Sequence, residues 1–162
     1  MTINKNRWKL IATSVAPIIG GTIVGIVANK YSESKYKKLK TPIFAPPSWV
    51  FPIVWTSLYT SMGIAKYKFD KTPKTSNLQI KGNSVYLVQL SFNYMWSFLF
   101  FSRNLRGAAL IDALLLWITV NLNTYYFYKK SKVAGNLMIP YISWVTYTIA
   151  LNYAIWSMNK EV

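Results

Sequence analysis

The chain contains neither cysteine nor histidine among its 162 residues. Without thiolate or imidazole it lacks the usual ligands of zinc and iron–sulfur clusters, a disulfide framework, and the groups of a Ser-His-Asp triad. The sequence therefore predicts no metal site. A bound haem could be ligated axially only by Met, Tyr or Lys.

Acidic residues are also scarce, since only four stand against 19 Lys and Arg, and the formal net charge is +15. Four carboxylates spread along the chain argue against a paired-carboxylate active site. The basic residues lie in the loops and at the chain ends, between long uncharged stretches. This distribution favours anionic lipid headgroups as partners and argues against nucleic acid.

Hydrophobic residues make up 52% of the chain and are concentrated in five stretches that carry almost no charge. Each is about 18–22 residues long, enough to cross a hydrocarbon core of ~30 Å. The fold class predicted is all-α, an integral membrane, multi-pass bundle of five transmembrane helices that forms a single domain over residues 1–162. A soluble bundle is the rejected alternative, because its helices would be amphipathic. The predicted spans are 8–28, 49–67, 85–102, 108–127 and 137–158, with a lid loop at 29–48.

The lid loop is stiffened by prolines and runs directly into an aromatic helix. Pro52 falls in the first turn of that helix, where its missing N–H matters least. Trp55, Tyr59 and Met62 follow at i, i+4 and i+7 and so share one helical face. This join suits a lid held over a membrane pocket.

Polar and aromatic residues share a stripe on two other predicted spans. In lipid an amide must find a partner, so these stripes are expected to face the bundle interior. Together with the Trp55 face they could line one cavity, while simple packing between helices is the alternative left open. The third span contributes Gln89, Asn93, Trp96 and Phe100. The fifth contributes Trp144, Thr148, Leu151 and Ile155, with Asn152 beside them.

Asp112 is the only acid inside a predicted span. Membrane-embedded carboxylates are candidates for function, because an unpaired charge there costs several kcal/mol. A structural interpretation is preferred here, since Asp112 lies one turn into its span, near Arg103 and Arg106 as potential partners.

Small residues in the first span predict close helix approach. The spacing does not distinguish a dimer contact from packing within one chain. The residues concerned are Ala12, Ala16, Gly20, Gly21 and Gly25.

Several motifs, in order along nearly the whole chain, resemble those of the translocator protein, or tryptophan-rich sensory protein, family, also called the peripheral-type benzodiazepine receptor family. The loop prolines precede Trp49-Val50-Phe51, and Trp55-Thr56-Ser57-Leu58-Tyr59 follows. Further along stand Gln89 with Asn93, Trp96-Ser97-Phe98-Leu99-Phe100-Phe101, Asp112 after Gly107, Pro140-Tyr141 with Trp144, and Ala150-Leu151-Asn152.

The resemblance implies a five-helix bundle, often a homodimer, with a pocket beneath the first loop that accepts porphyrins, sterols and synthetic ligands. By matching position, Trp55 and Trp144 would be the pocket tryptophans. Phe44 stands where many relatives have a loop tryptophan and is expected to supply an apolar lid. With Trp96 and Asn152 from the polar stripes, the predicted ligand-binding residues are Phe44, Trp55, Tyr59, Asn93, Trp96, Phe100, Trp144, Thr148, Leu151 and Asn152.

The function expected is that of a membrane receptor or transporter for a small hydrophobic ligand, with porphyrin (protoporphyrin IX) or haem as the ligand and no required cofactor. Such rings are flat and apolar and carry carboxylates, which Lys38 and Lys40 could meet. The alternatives are an enzyme for light-dependent porphyrin degradation, with Trp55 and Trp144 as redox residues, and a sterol- or lipid-binding protein. A bacterial or archaeal cell membrane is the expected location, with the outer mitochondrial membrane as the alternative.

Overall fold

The computed structural model describes residues 8, 15, 17–23, 39–73 and 76–160. Most of the first predicted span and the first part of the lid loop therefore lie outside the described residues. Residues 17–23 are helical, and we label this segment α1. The later helices are α2 (Val50–Lys71), α3 (Ser76–Ser97), α4 (Arg106–Lys130), α5 (Lys132–Asn136) and α6 (Ile139–Met158), and a π-helix spans Phe98–Ser102.

All regular structure in the described residues is helical, which confirms the predicted all-α fold. The long helices α2, α3, α4 and α6 contain 22, 22, 25 and 20 residues. At a rise of about 1.5 Å per residue, each reaches ~30 Å or more. The largest difference from the predicted spans is at α3, which starts at Ser76 rather than at Val85.

The ends of α2 follow from its sequence. Pro52 lies in the first turn, as predicted, where a helix loses no internal hydrogen bond to proline. Lys68 and Lys71 lie in the last turn, where positive charge is favourable. Pro73 then holds Thr72 in an extended conformation, so the helix cannot continue.

The chain turns from α3 into α4 through the π-helix. The Arg103 N–H donates to the Phe98 carbonyl at 3.1 Å, which closes the wide turn. Asn104 follows with φ 57°, the left-handed region, which asparagine adopts more readily than most residues.

The long helices form a bundle with two distinct ends. α3 packs along α4, and α4 packs along α6, while α2 contacts α4, α5 and α6. We call one end the lid end, with residues 39–55, 96–107 and 144–160. The other is the far end, with residues 61–86 and 120–139.

Two glycines allow α1 to approach the bundle closely. A Cβ at Gly20 would collide with the ring of Tyr94, and one at Gly21 would collide with the ring of Tyr59. The close approach predicted from small residues is thus seen at these two positions within one chain. The other small residues of the pattern lie outside the described residues.

By length and composition alone, one helix in the described part of the chain, α4, is apolar enough to cross a membrane, with a mean hydropathy of 1.4. Its outward face carries large apolar side chains that are 41–63% exposed, namely Ile111, Leu114, Leu115, Ile118 and Leu122. The other long helices carry the amides and aromatic rings of the interior, which lower their hydropathy.

Candidate ligand-binding site

Trp55 connects the two hydrophobic clusters of the bundle, because its ring packs against both. It stacks on Tyr59 with ring centroids 5.5 Å apart and an interplanar angle of 27°. Trp96 lies 6.5 Å away, and Tyr141 meets Trp55 edge-on at 6.4 Å. Tyr59 and Met62 are buried, so the face predicted from their spacing does point inward.

A buried chain of hydrogen bonds crosses the bundle beside Trp55. The Tyr59 hydroxyl donates to Asn93 Oδ1 at 2.5 Å, and Asn93 Nδ2 donates to the Tyr141 hydroxyl at 2.9 Å. That hydroxyl donates in turn to Gln89 Oε1 at 3.1 Å. The two amides of α3 therefore find partners on α2 and α6, as expected for amides in an apolar interior.

A second polar contact joins three helices nearer the lid end. The Trp96 indole N–H donates to Asn152 Oδ1 at 3.0 Å, and Asn152 Nδ2 donates to the Arg106 carbonyl at 2.8 Å. The Thr148 hydroxyl donates to the Trp144 carbonyl within α6 at 2.8 Å. The Thr148 hydroxyl proton is therefore not available to donate to another group.

A small cavity lies against this second contact. Its free volume is about 10 Å³, roughly the space of one water molecule. Sites for drug-sized ligands are typically ~300–1,000 Å³, so the cavity as it stands is too small for such a ligand. The lining residues come from α2, α3, the π-helix and α6: Phe51, Trp96, Phe100, Phe101, Thr148, Leu151, Asn152 and Ile155.

The π-helix brings two successive phenylalanines to this cavity. Phe100 stacks on Trp96 with ring centroids 5.2 Å apart, and Phe101 meets Phe100 edge-on at 5.0 Å. Consecutive residues of an α-helix point about 100° apart, so an ordinary helix would not favour this placement. A ligand larger than water must displace one or more of these rings.

The described part of the lid loop, residues 39–48, is fastened to α6 at two points. The Lys40 N–H donates to Asn159 Oδ1 at 3.0 Å, while Asn159 Nδ2 donates to the Lys40 carbonyl at 2.9 Å. The Tyr147 hydroxyl donates to the Phe44 carbonyl at 3.0 Å. Directly after the second point, Ala45 packs on the cluster that surrounds the cavity.

The structure gathers the ten predicted ligand-binding residues at three depths. Trp96, Phe100, Thr148, Leu151 and Asn152 line the cavity. Trp55, Tyr59 and Asn93 form the adjoining network. Phe44 and Trp144 lie toward the lid without lining the cavity.

Phe44 and Trp144 both contact Tyr147. The ring of Phe44 is 52% exposed and meets Tyr147 edge-on at 6.4 Å. Trp144 lies 5.2 Å from Tyr147 and 6.1 Å from Phe51. Its indole nitrogen is buried with no hydrogen-bond partner among the described residues. A ligand contact by either residue stays a prediction.

Sequence reasoning missed three residues of the site, whereas Ile155, placed on the stripe of the fifth span, does line the cavity. Phe51 lies four residues before Trp55, so helical spacing could have placed it on the lining face. Tyr141 was noted only as part of a motif. Phe101 gave no signal, because its position depends on the π-helix.

Asp112 does not form the arginine ion pair that the sequence suggested. It is buried, and its Oδ2 has no hydrogen-bond partner in the described part of the chain. The only ion pair among the described residues joins Lys66 to Asp70, so neither Arg103 nor Arg106 forms the expected pair.

Comparison with known proteins gives a consistent result. The profile of the TspO/MBR family matches residues 13–157. Tryptophan-rich protein TspO of Archaeoglobus fulgidus is 33% identical over 154 residues, which cover 95% of this chain and 99% of that protein. Translocator protein of Homo sapiens is 33% identical over 147 residues, covering 90% and 87%. Protein CrtK of Rhodobacter capsulatus is 31% identical over 124 residues, covering 76% and 78%.

Proposed function

The chain belongs to the TspO/MBR family, a family of membrane proteins, and from that premise we propose that it is a receptor or transporter-like protein that binds a small hydrophobic ligand within its helix bundle. The ligand we propose is a porphyrin or a related tetrapyrrole. The proposal includes a multi-pass topology in which α1, α2, α3, α4 and α6 cross the membrane.

One observation carries this proposal: side chains from three separate segments converge on one cavity at the lid end. Of the ten residues predicted to contact ligand, five line that cavity and three more adjoin it. Half of these eight are aromatic, and aromatic side chains, which can each bury ~150–250 Å², offer flat faces on which a tetrapyrrole can stack. Simple helix packing would not require the aromatic groups to gather beneath a loop.

Ligand entry requires the closed cavity to open. The lid loop is the segment best suited to move, since it is fastened by a few hydrogen bonds that water can replace, each with a net value of about 0.5–1.5 kcal/mol. Its release would uncover the cavity beneath Ala45 and Phe51. The rings of Phe100 and Phe101 could then turn aside and stack on the incoming ligand.

Basic side chains at the far end are suited to anionic lipid headgroups. Lys68, Lys71, Lys129 and Lys132 are all exposed there. We include such lipids, and a homodimer, among the proposed partners. The homodimer rests on family resemblance alone.

The proposal is tested by titrating detergent-purified protein with protoporphyrin IX in the dark and following tryptophan quenching. We expect saturable binding that is lost when Trp55→Ala and Trp144→Ala are combined. Trp117→Ala is the matched control, because Trp117 lies on the outer side of α4 and is 38% exposed. Non-saturating quenching, or equal quenching in all three proteins, would refute the proposal. A sterol titrated as competitor tests the sterol-binding alternative.

A second candidate function is light-dependent degradation of the bound porphyrin. The observation that favours it is the stacking of Trp55 on Tyr59 with Trp96 nearby, which sets two further oxidisable rings within 6.5 Å of Trp55. Trp55→Phe should keep most of the binding, because it preserves an aromatic face. If illumination then yields no product, while the wild type yields new absorption bands, the enzymatic function is supported. Wild-type protein without such bands would exclude it.

A further inference from the structure

Arg106 forms no side-chain hydrogen bond or ion pair with any described residue. The residue is 7% exposed, and its Nε is buried with no hydrogen-bond acceptor among the described residues. A guanidinium stays charged, and a buried charge is normally paired. The anion is therefore expected from outside the described residues, either from a bound molecule or from Glu33 or Glu161 of this chain.

Other groups near Arg106 in the chain can also donate hydrogen bonds to an anion. The Ser102 hydroxyl is buried and lacks a partner within the described residues. Arg106 is the first residue of a 25-residue helix, and Leu105 before it makes no side-chain cap, so the first N–H groups remain available. The positive end of the helix dipole lies here as well.

Asp112 cannot neutralise this region. It is the only acidic residue of α4, and it lies six positions beyond Arg106, which places it about 240° around the helix axis. No hydrogen bond joins it to Ser102 or Arg106 in the described structure.

The cavity and this cluster of donors share a wall. Asn152 lines the cavity and donates to the Arg106 carbonyl at 2.8 Å. Phe101 also lines the cavity and directly precedes Ser102. A ligand whose rings filled an opened cavity would thus have its edge close to the backbone of Arg106.

We propose that Arg106, assisted by Ser102, binds the carboxylate of an amphipathic ligand whose ring system occupies the cavity. The inference rests on the proposed function and narrows it to hydrophobic acids. Arg106 is then a better candidate than Lys40 for binding a porphyrin carboxylate. The Lys40 side chain is exposed to water, where an ion pair contributes little. The phosphate of an anionic lipid has the same chemistry and is the competing source of the anion.

The test compares protoporphyrin IX with its dimethyl ester, which has the same rings and no free carboxylate, in a non-ionic detergent. We expect wild-type protein to bind the acid about tenfold more tightly than the ester, as befits a charge-assisted contact. Arg106→Gln should lose this preference and bind the ester as the wild type does. Arg103→Gln is the matched control, because Arg103 is exposed and lies 5.3 Å from the Phe98 ring.

The other outcomes distinguish a failure of the carboxylate site from a failure of porphyrin binding. If wild-type protein binds acid and ester equally, or Arg106→Gln keeps the preference, the carboxylate site is refuted while porphyrin binding stands. If neither compound binds saturably, the proposed function itself fails. Ser102→Ala provides a second variant that should reduce the preference severalfold, so a folding defect in Arg106→Gln does not decide the result.

Lipid nanodiscs distinguish the two sources of the anion. The acid-to-ester preference is measured in phosphatidylcholine alone and with phosphatidylglycerol added. A preference that persists in phosphatidylcholine and disappears in Arg106→Gln supports the ligand carboxylate. If Arg106→Gln instead weakens only the binding of phosphatidylglycerol and leaves the preference unchanged, the anion is a lipid phosphate and the proposal is overturned.

Discussion

The two ends of the bundle are both rich in aromatic rings, but the rings are used differently. At the far end Phe69 and Phe127 stack face to face with centroids 4.3 Å apart, and neither has any exposed surface. Tyr86 continues the stack on the other side of Phe127 at 5.8 Å. At the lid end Trp96 and Phe100 also stack, yet a cavity remains beside them.

Charged groups differ in the same way. At the far end Lys66 forms an ion pair with Asp70. Gln79 forms hydrogen bonds with both Asp70 and Lys130. The Lys130 ammonium also lies 4.5 Å from the centre of the Phe69 ring. The buried atoms there that lack described partners, such as the Tyr86 hydroxyl, are neutral. At the lid end the guanidinium of Arg106 has no described partner. Among the described residues, the far end thus leaves no buried charge unpaired, whereas the lid end has a cavity and the unpaired guanidinium of Arg106.

The largest expected effect is a loss of stability at the far end. Phe127→Ala removes the middle ring of the stack and should lower the free energy of unfolding by about 3–5 kcal/mol. Thermal or denaturant unfolding in detergent measures it, with Phe98→Ala as the control because Phe98 is 42% exposed. An equal loss in the two variants would show that the far-end stack is not especially stabilising.

Tyr141→Phe tests the hydrogen-bond network that lies between the two ends of the bundle. The missing hydroxyl would leave both Asn93 Nδ2 and Gln89 Oε1 unpartnered, which should cost about 2 kcal/mol of stability. Tyr153→Phe, at a position 57% exposed, should change stability little. A loss no greater than in this control would mean that water satisfies the two amides.

At the lid end we expect substitutions to change the rate of ligand exchange rather than the stability of the fold. Asn159→Ala removes both hydrogen bonds to the Lys40 backbone, so protoporphyrin IX should dissociate about tenfold faster. Stopped-flow displacement measures this rate. Asn136→Ala, at the far end and exposed, is the matched control. Unchanged dissociation would contradict a role for the lid loop in retaining ligand.

The smallest effect is expected for Tyr147→Phe. It removes one hydrogen bond to the Phe44 carbonyl but keeps the contact between the rings, so dissociation should rise only about threefold. The same displacement assay applies, again with Tyr153→Phe as control. A change as large as that of Asn159→Ala would mean that the lid is held chiefly at Phe44.

Much of the fold could be predicted because helical spacing and charge placement are local properties. The family assignment is confirmed, and the inward faces of Trp55 and Asn93 follow from residue spacing. The start of α3 was missed because residues 76–84 are mostly polar. A search for long apolar runs does not detect a helical segment of that composition. The five-span topology stays a prediction.

Other parts of the site depend on contacts that no local pattern indicates. The π-helix changes the direction of Phe101, and nothing in the sequence around it requires that change. Arg106 was expected from the sequence only as a potential partner of Asp112. Its burial follows from how α3, α4 and α6 meet, which sequence spacing does not describe.

The bond between Asn159 and Lys40 has a practical consequence for experiments on this protein. These residues are 119 positions apart in the sequence, yet the residue that caps the end of α6 holds the backbone of the first loop. A fluorescent probe attached next to Asn159 would therefore report on the ligand entrance. The same position is a poor one for any label that must leave binding undisturbed.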